Sequence, residues 1–409
     1  MAQLPKGEPA PQDGLLPEQA EHDADSRTFH AYIHVPFCRV RCGYCDFNTY
    51  TAQEIGSSSQ SSFARDLNAE IAFSKTVLIN SEVPLRPIST VFFGGGTPTL
   101  LPAEDLVSIL NSLRDTFEFL PDAEITTEAN PDSVDAEYFS KLKAAGFTRV
   151  SVGMQSAVPH VLKILERTHN PENVSKAVLA AKAVCLQTSV DLIYGTPTET
   201  IEDWVQSLQD AIALNTDHIS AYSLIVEPGT KLARQIKSGE VDSPDEDLHA
   251  EMYEVAEELL TKAGFANYEV SNWSKSNETR SRHNLAYWKS MDWWGYGPGA
   301  HSHIGGVRWW NVKNPAAYTD RLKANSSPAL ERELVDRENQ AIEKVMLEAR
   351  LADGIKLAWL KSSGFGEAKA VSTLLAEELI EGRAVFDGVI KLTLKGRLLA
   401  DYVVRKLLD

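Results

Sequence analysis

The chain has 409 residues, with 40 Lys and Arg against 57 Asp and Glu, for a net charge of −17. Nonspecific nucleic-acid binding needs cations to neutralise phosphates, so this balance argues against it, and it disfavours a polybasic membrane anchor. With 43% hydrophobic and 24% charged residues, the composition is that of an ordinary soluble protein with a sizeable core. No apolar run approaches the roughly 18–20 residues a membrane span needs, and the length suggests two or three domains.

Residues 1–27 carry four prolines and only Leu4, Leu15 and Leu16 as large aliphatics, so they are predicted to form a disordered N-terminal tail. They lack the basic start and apolar core of a signal peptide. The apolar run Tyr32–Val35 then reads as a strand, closed by Pro36, and leads into Cys38, Cys42 and Cys45. These are three of only four cysteines, spaced C-x3-C-x2-C. A structural zinc site closes with four ligands, which here would need His30 or His34. Three thiolates on a four-iron, four-sulfur cluster would instead leave one iron open to an outside ligand. A disulfide is disfavoured, because without a secretory leader the expected compartment is the reducing cytoplasm.

After a linker at Ser57–Ser62, strands and helices alternate. An amphipathic stretch covers Phe63–Ile79, followed by a strand at Thr90–Phe93 and a helix near Pro102–Phe117. Strands follow at Glu124–Glu128, Arg149–Val152, Ser189–Ile193 and His218–Leu224. They are separated by a capped helix start at Ser133–Glu137, a helical pair over Val158–Leu165 and Glu172–Val184, and a helix over Ile201–Leu214. About six βα units imply a parallel sheet with right-handed crossovers, an α/β fold read as a partial (β/α)6 barrel over residues 28–240. Sites in such barrels lie at the C-terminal ends of the strands. Gly94-Gly-Gly-Thr-Pro98, Glu128, Gln155 and Asp191 fall there. Cys185 reads as a packed core thiol at a helix end.

The cysteine spacing resembles that of radical S-adenosylmethionine (SAM) enzymes. In that family the open iron is chelated by the amino and carboxylate groups of SAM, and one electron splits the sulfonium to a 5′-deoxyadenosyl radical. The segments Tyr32–Cys38, GGGTP, TTEANP around Glu128, SVGMQS around Gln155, LERTHN around Arg167 and DLIYGTP from Asp191 resemble the oxygen-independent coproporphyrinogen III oxidase group. That resemblance implies SAM contacts by Tyr32, Gly95, Gly96, Thr97, Glu128, Gln155, Arg167 and Asp191, with Tyr44 and Ile225 as further ones. The alternative for Glu128, Arg167 and Asp191 is a salt-bridge network at the barrel mouth. The oxidases carry one more cysteine two positions after the third. Here that position is Phe47, which resembles the HemW haem chaperone branch.

Past the barrel, residues 241–334 hold an acidic amphipathic helix over Asp242–Ala263, a strand at Phe265–Val270, and His283-Asn-Leu-Ala-Tyr-Trp288. On physical grounds such aromatics pack a small sheet and His283 hydrogen-bonds a neighbour; imidazole is equally a good axial ligand to haem iron. The HNxxYW pattern resembles the haem-chaperone branch and implies haem contact by His283, Asn284, Tyr287 and Trp288, with His301 and His303 as further ligand candidates. Ile304-Gly-Gly-Val307 reads as a two-residue hairpin. Residues 335–409 suggest a winged-helix-like module with a hairpin at Phe386-Asp-Gly-Val389 and a helix over Lys395–Leu408. Glu377, Glu378 and Glu381 ahead of that hairpin argue against DNA reading.

The expected cofactors are therefore a [4Fe-4S] cluster, SAM and haem. The expected partner is an apo-haemoprotein that receives haem, with any peripheral membrane association coming through that recipient. The competing function is the oxidase reaction, radical decarboxylation of propionates to vinyl groups.

Overall fold

The computed structural model describes residues 7–51, 54, 57–167 and 169–409. Its fifteen described strands are β1 (Glu8–Pro9), β2 (Phe29–Val35), β3 (Ile88–Gly95), β4 (Phe119–Ala129), β5 (Arg149–Gln155), β6 (Gln187–Tyr194), β7 (His218–Ser223), β8 (Ala266–Glu269), β9 (Asn272–Ser274), β10 (Asp292–Tyr296), β11 (His301–Ile304), β12 (Val307–Asn311), β13 (Ala329–Leu334), β14 (Ile355–Lys356) and β15 (Val389–Ile390). Thirteen of them form one sheet in the order β1-β13-β12-β11-β10-β2-β3-β4-β5-β6-β7-β9-β8.

Its centre, β2 to β7, is parallel and in sequence order, which is the expected run of six βα units. Helices Ser57–Asn80, Ala103–Thr116, Ala136–Ala144, Pro171–Ala183 and Ile201–Ala213 supply the crossovers. Parallel strands wrapped this way are buried on both faces, and β2 is buried at six of its seven positions. The sheet stays open: its edges are β1 and β8. Local chemistry fixes the helix starts. Thr200 and Asp203 form a reciprocal capping box at Ile201–Ala213, worth about 1 kcal/mol. Ser57–Ser62 is not a linker but the first turns of the Ser57–Asn80 helix, serine being well tolerated near a helix start.

Residues 241–334 flank the six strands on both sides. The β8–β9 hairpin adds to β7, while β10 runs parallel to β2 along its whole length, Asp292 opposite Phe29 to Tyr296 opposite Ile33. The turn between β11 and β12 is the expected hairpin, with Gly305 at φ +58° and Gly306 at φ +80°, a left-handed pair that glycine adopts freely.

The N-terminal reading needs correction for residues 7–27. β1 pairs with β13, Leu16 N–H donates to Ser81 Oγ at 2.9 Å, and Ala20 and Ala24 are buried. Composition understates order here because backbone pairing to an existing sheet edge supplies what the side chains lack. Residues 1–6 lie outside the described residues. Cys185 is likewise not a core thiol: it is exposed, at φ +59°, just past the Pro171–Ala183 helix.

The C-terminal region has its own apolar cluster, including Val345, Leu360, Leu374, Ile390 and Leu407. The expected hairpin at Phe386–Val389 is absent. Gly382–Phe386 is helical, Gly388 at φ +82° turns the chain out of it, and β15 pairs with the distant β14. The expected Lys395–Leu408 helix is two helices, Leu394–Leu398 and Ala400–Leu408.

Candidate cofactor site at the cysteine loop

β2 delivers the chain to the C-terminal end of the parallel strands, and the cysteine loop begins there. Its base is pinned: Tyr50 N–H donates to Pro36 O at 2.7 Å and Cys38 N–H to Tyr50 O at 3.0 Å. Asn48 Nδ2 donates to Pro298 O and Lys313 O, each at 3.0 Å, so the turns beside β10 and β12 brace the loop from outside. Cys38, Cys42 and Cys45 are all half-buried and line one cavity of about 540 Å³.

The glycine-rich segment closes against that loop. Gly96 N–H donates to Val35 O and Thr97 N–H to Phe37 O, each at 2.8 Å. A Cβ on Gly96 would lie 2.6 Å from Phe37 O and 3.0 Å from Cys38 Sγ, so only glycine fits. We expect Gly96→Ala to leave a folded chain with iron content at most about a tenth of wild type, since neither backbone oxygen can retreat without undoing the strand. Full iron content in that variant would show that the loop yields.

The predicted residues divide into two groups. Gly95, Thr97, Glu128, Gln155, Arg167 and Asp191 join the cysteines around the cavity, as do Tyr44, Ile225 and Asn284. Thr97 Oγ1 reaches Cys38 Sγ at 4.0 Å and Arg167 Nη1 reaches Cys42 Sγ at 3.7 Å. Gly95 N–H donates to Glu128 Oε2 at 3.2 Å, while Asp191 accepts from Ser151 Oγ at 2.8 and 2.9 Å. No ion pair among the described residues joins Glu128, Arg167 and Asp191, so the salt-bridge reading is set aside. Burial, and then the nearby Asp191 carboxylate, push Glu128 up to about 8; burial also raises Asp191. At neutral pH Glu128 thus tends to hold its proton, ready to give it to an acceptor. Gln155 sits at φ +64°, an unusual backbone for a residue with a side chain, at an irregularity in the β5–β6 register.

Several lining residues escaped the sequence reading: Thr126, Arg149, Ser151, Ser189, Ser220 and Tyr222. Their signal was period two. Thr126 and Glu128, Arg149 and Ser151, Ser189 and Asp191, Ser220 and Tyr222 alternate along their strands, with Thr127, Val150, Val190 and Ala221 between them. Thr126 Oγ1 is buried without a protein partner and its residue lines the cavity, so this hydroxyl is available to a ligand or a water there.

The donor set suits a cluster better than a single ion. Among the described residues no three His, Cys, Asp or Glu side chains are gathered at the spacing of one metal ion. A cluster spreads its thiolates over different irons and tolerates wider separation. The zinc alternative also fails for its histidines. His30 is hydrogen-bonded to Thr28 and Thr90, and His34 to Tyr32 and Asn48 O.

The second group lies within the barrel wall. Tyr32, His283, Tyr287 and Trp288 do not line the cavity. His283 is 1% exposed, with Nδ1 at 2.6 Å from Thr90 Oγ1 and Nε2 at 2.8 Å from Tyr287 OH. Both ring nitrogens are hydrogen-bonded, so iron ligation by His283 would require one of these bonds to open. His303 is committed too, to Met291 O and Gly306 N–H. His301 is exposed and its ring packs 5.9 Å from Trp310. At the cavity mouth three large apolar side chains stand out of the surface: Val40, 46% exposed, Phe47, 60%, and Ile225, 65%.

The family model for the radical SAM superfamily matches residues 32–211. A haem chaperone HemW of Mycobacterium tuberculosis (strain H37Rv) is 45% identical over 381 residues, 93% of this chain and 95% of its own length. HemW of Bacillus subtilis is 34% identical over 80% of this chain and 84% of its own. The solved coproporphyrinogen III oxidase (HemN) of Escherichia coli aligns with a TM-score of 0.79 at 22% identity, over 95% of this chain and 92% of that one; at that identity it shows the fold alone. The cysteine loop, the parallel strands behind it and this agreement along nearly the whole length place the chain in the HemW haem chaperone family, within the radical SAM superfamily.

Proposed function

We propose that the chain holds a [4Fe-4S] cluster on Cys38, Cys42 and Cys45 and binds SAM in the adjoining cavity. It carries haem for transfer to an apo-haemoprotein in the cytoplasm and does not act as a coproporphyrinogen III oxidase. When bound, the cluster supplies an electron and an iron with an open coordination position. The chain's own residues do the placing. Gly95, Gly96 and Thr97 let backbone approach the ligand, Glu128 and Asp191 meet its hydroxyl or amino groups, and Gln155 and Arg167 offer amide and planar donors. Among the described residues no helix is long and apolar enough to cross a membrane.

The observation that carries the chaperone reading is Phe47. It stands two residues past the third cysteine, where the oxidase group has a further thiol, and it is exposed at the cavity mouth beside Val40 and Ile225. An apolar rim suits a flat porphyrin that must be taken up and released, since it holds without a full set of iron ligands. Burying one such side chain completely is worth about 1.5–3 kcal/mol. Phe47→Ser is therefore expected to weaken haem binding about tenfold in a spectroscopic titration, with iron and sulfide content unchanged.

The reading as a whole is tested anaerobically, with reconstituted protein, coproporphyrinogen III, SAM and a reductant, beside a haem titration. Haem uptake without protoporphyrinogen IX is the expected result. Decarboxylation at an enzymatic rate would replace the chaperone by the oxidase, and failure to take up haem would remove its cargo.

A further inference from the structure

The HNxxYW segment falls on the helix Arg282–Trp288, which packs its histidine against Phe92 of β3 rather than toward solvent. Four hydrogen bonds form one continuous chain through that interior. Thr28 Oγ1 meets His30 Nε2 at 2.7 Å, His30 Nδ1 meets Thr90 Oγ1 at 2.8 Å, Thr90 Oγ1 meets His283 Nδ1 at 2.6 Å, and His283 Nε2 meets Tyr287 OH at 2.8 Å.

We propose that His283 and Tyr287 are positioning residues for the SAM cavity, acting through this chain and the rings stacked on it; the proposal rests on the cofactor reading above.

The chain has a sense of direction. Thr90 has one hydroxyl proton and sits between two Nδ1 atoms, so it donates to one ring and accepts from the other. His30 and His283 are then opposite tautomers. If Thr90 donates to His283, that ring carries its proton on Nε2 and donates to Tyr287, whose own O–H is free to turn elsewhere. If Thr90 donates to His30, His283 carries its proton on Nδ1 and accepts the O–H of Tyr287. Burial keeps both imidazoles neutral, His30 held down at about 4 and His283 well below the ordinary imidazole value, so neither breaks the pattern by taking a second proton.

The cavity lies directly against this chain. The His283 ring stacks on Phe92 with centroids 5.1 Å apart and planes 22° apart, and Tyr32 packs 6.4 Å from Phe92 and 6.5 Å from His283. Phe92 and Asn284 line the cavity. Glu128, also on the lining, is near enough to raise both the Tyr32 and the Tyr287 phenols, after burial. The helix is anchored at its start, where Arg282 and His283 N–H groups each donate to Glu124 at 3.1 Å. Removing the imidazole would take the Nε2 partner from Tyr287 OH, leave Thr90 bonded to His30 alone, and free Phe92 to shift toward the gap.

The test uses the full chain with its cluster reconstituted, without haem, and labelled SAM in anaerobic equilibrium dialysis. His283→Ala is expected to weaken SAM binding about tenfold, Tyr287→Phe about threefold, and His283→Asn less than alanine, because its amide can still reach Thr90. Rescue by asparagine separates positioning from mere filling of space. Haem titration of the SAM-free variants should give wild-type affinity and spectrum. If His283→Ala loses its iron through misfolding, Tyr287→Phe, which deletes one hydroxyl, decides alone. SAM affinity within twofold of wild type in Tyr287→Phe and in every variant that keeps its iron overturns the proposal, and a loss of haem affinity alongside it returns the segment to haem. A wild-type protein that binds no SAM would instead overturn the cofactor reading on which the proposal stands.

Discussion

Protein with alanine at Cys38, Cys42 and Cys45 together is expected to take up no cluster, falling from about four irons and four sulfides per chain to none. The three thiols line one cavity, and Cys38 and Cys45 are pushed up by burial, Cys45 to about 11. Left to themselves they stay protonated, and a thiolate forms there only beside positive charge. Arg167 supplies some at 3.7 Å from Cys42; the irons of a cluster supply the rest. Cys185→Ala is the control, because that thiol is exposed at a turn and does not line the cavity. Anaerobic iron and sulfide counts with electron paramagnetic resonance read the result. A full cluster in the triple variant, or a native chain that takes up zinc alone, would remove the cluster from the site.

Much of this site was legible because it is local in sequence. Three cysteines within eight residues, and a GGGTP segment directly after a strand, need no tertiary information to be read together. The six parallel strands were legible for a related reason: each is a short segment with apolar residues at alternate positions or better, and helix-length segments separate them. Glu128, Gln155 and Asp191 could be placed at strand ends by counting.

What escaped depends on contacts between distant segments. His283 carries the same residue type whether it ligates iron or bridges Thr90 to Tyr287. The difference lies in Thr90, 193 residues away. The order of residues 7–27 was hidden because their partners are distant in sequence: the β13 edge for β1, Ser81 for Leu16 and Asp292 for the Arg27 side chain. The β14–β15 pair was misplaced as a hairpin because Asp387-Gly388 is a turn signal that serves equally to end a helix.

The same blindness covers the residue on which stability is expected to depend most. Asp292 has no motif around it, yet its side chain is fully enclosed and holds two arginines from separate segments. Arg27 Nε donates to Oδ1 at 2.9 Å and Arg86 Nη1 to Oδ2 at 2.7 Å, with Gly305 N–H donating to Oδ1 at 2.9 Å. Arg27 and Arg86 side chains are only 14% and 10% exposed. Asp292→Ala therefore strands two nearly buried guanidinium groups and a backbone N–H, which costs about 3–5 kcal/mol, far more than loss of a surface pair. Asp292→Asn keeps the shape and loses the charge, so an intermediate loss is expected. Since β10 lies against β2 from Asp292 opposite Phe29, the strand that delivers the cysteine loop loses its clamp at the far end from the cluster. Folded Asp292→Ala protein should thus still bind iron at low temperature while unfolding at clearly lower denaturant. Arg27→Ala combined with Arg86→Ala, made on top of Asp292→Ala, should restore part of the loss by removing the stranded charges. An Asp292→Ala unfolding free energy within about 1 kcal/mol of wild type would mean that water reaches these guanidiniums and that burial alone holds the N-terminal segment on the sheet.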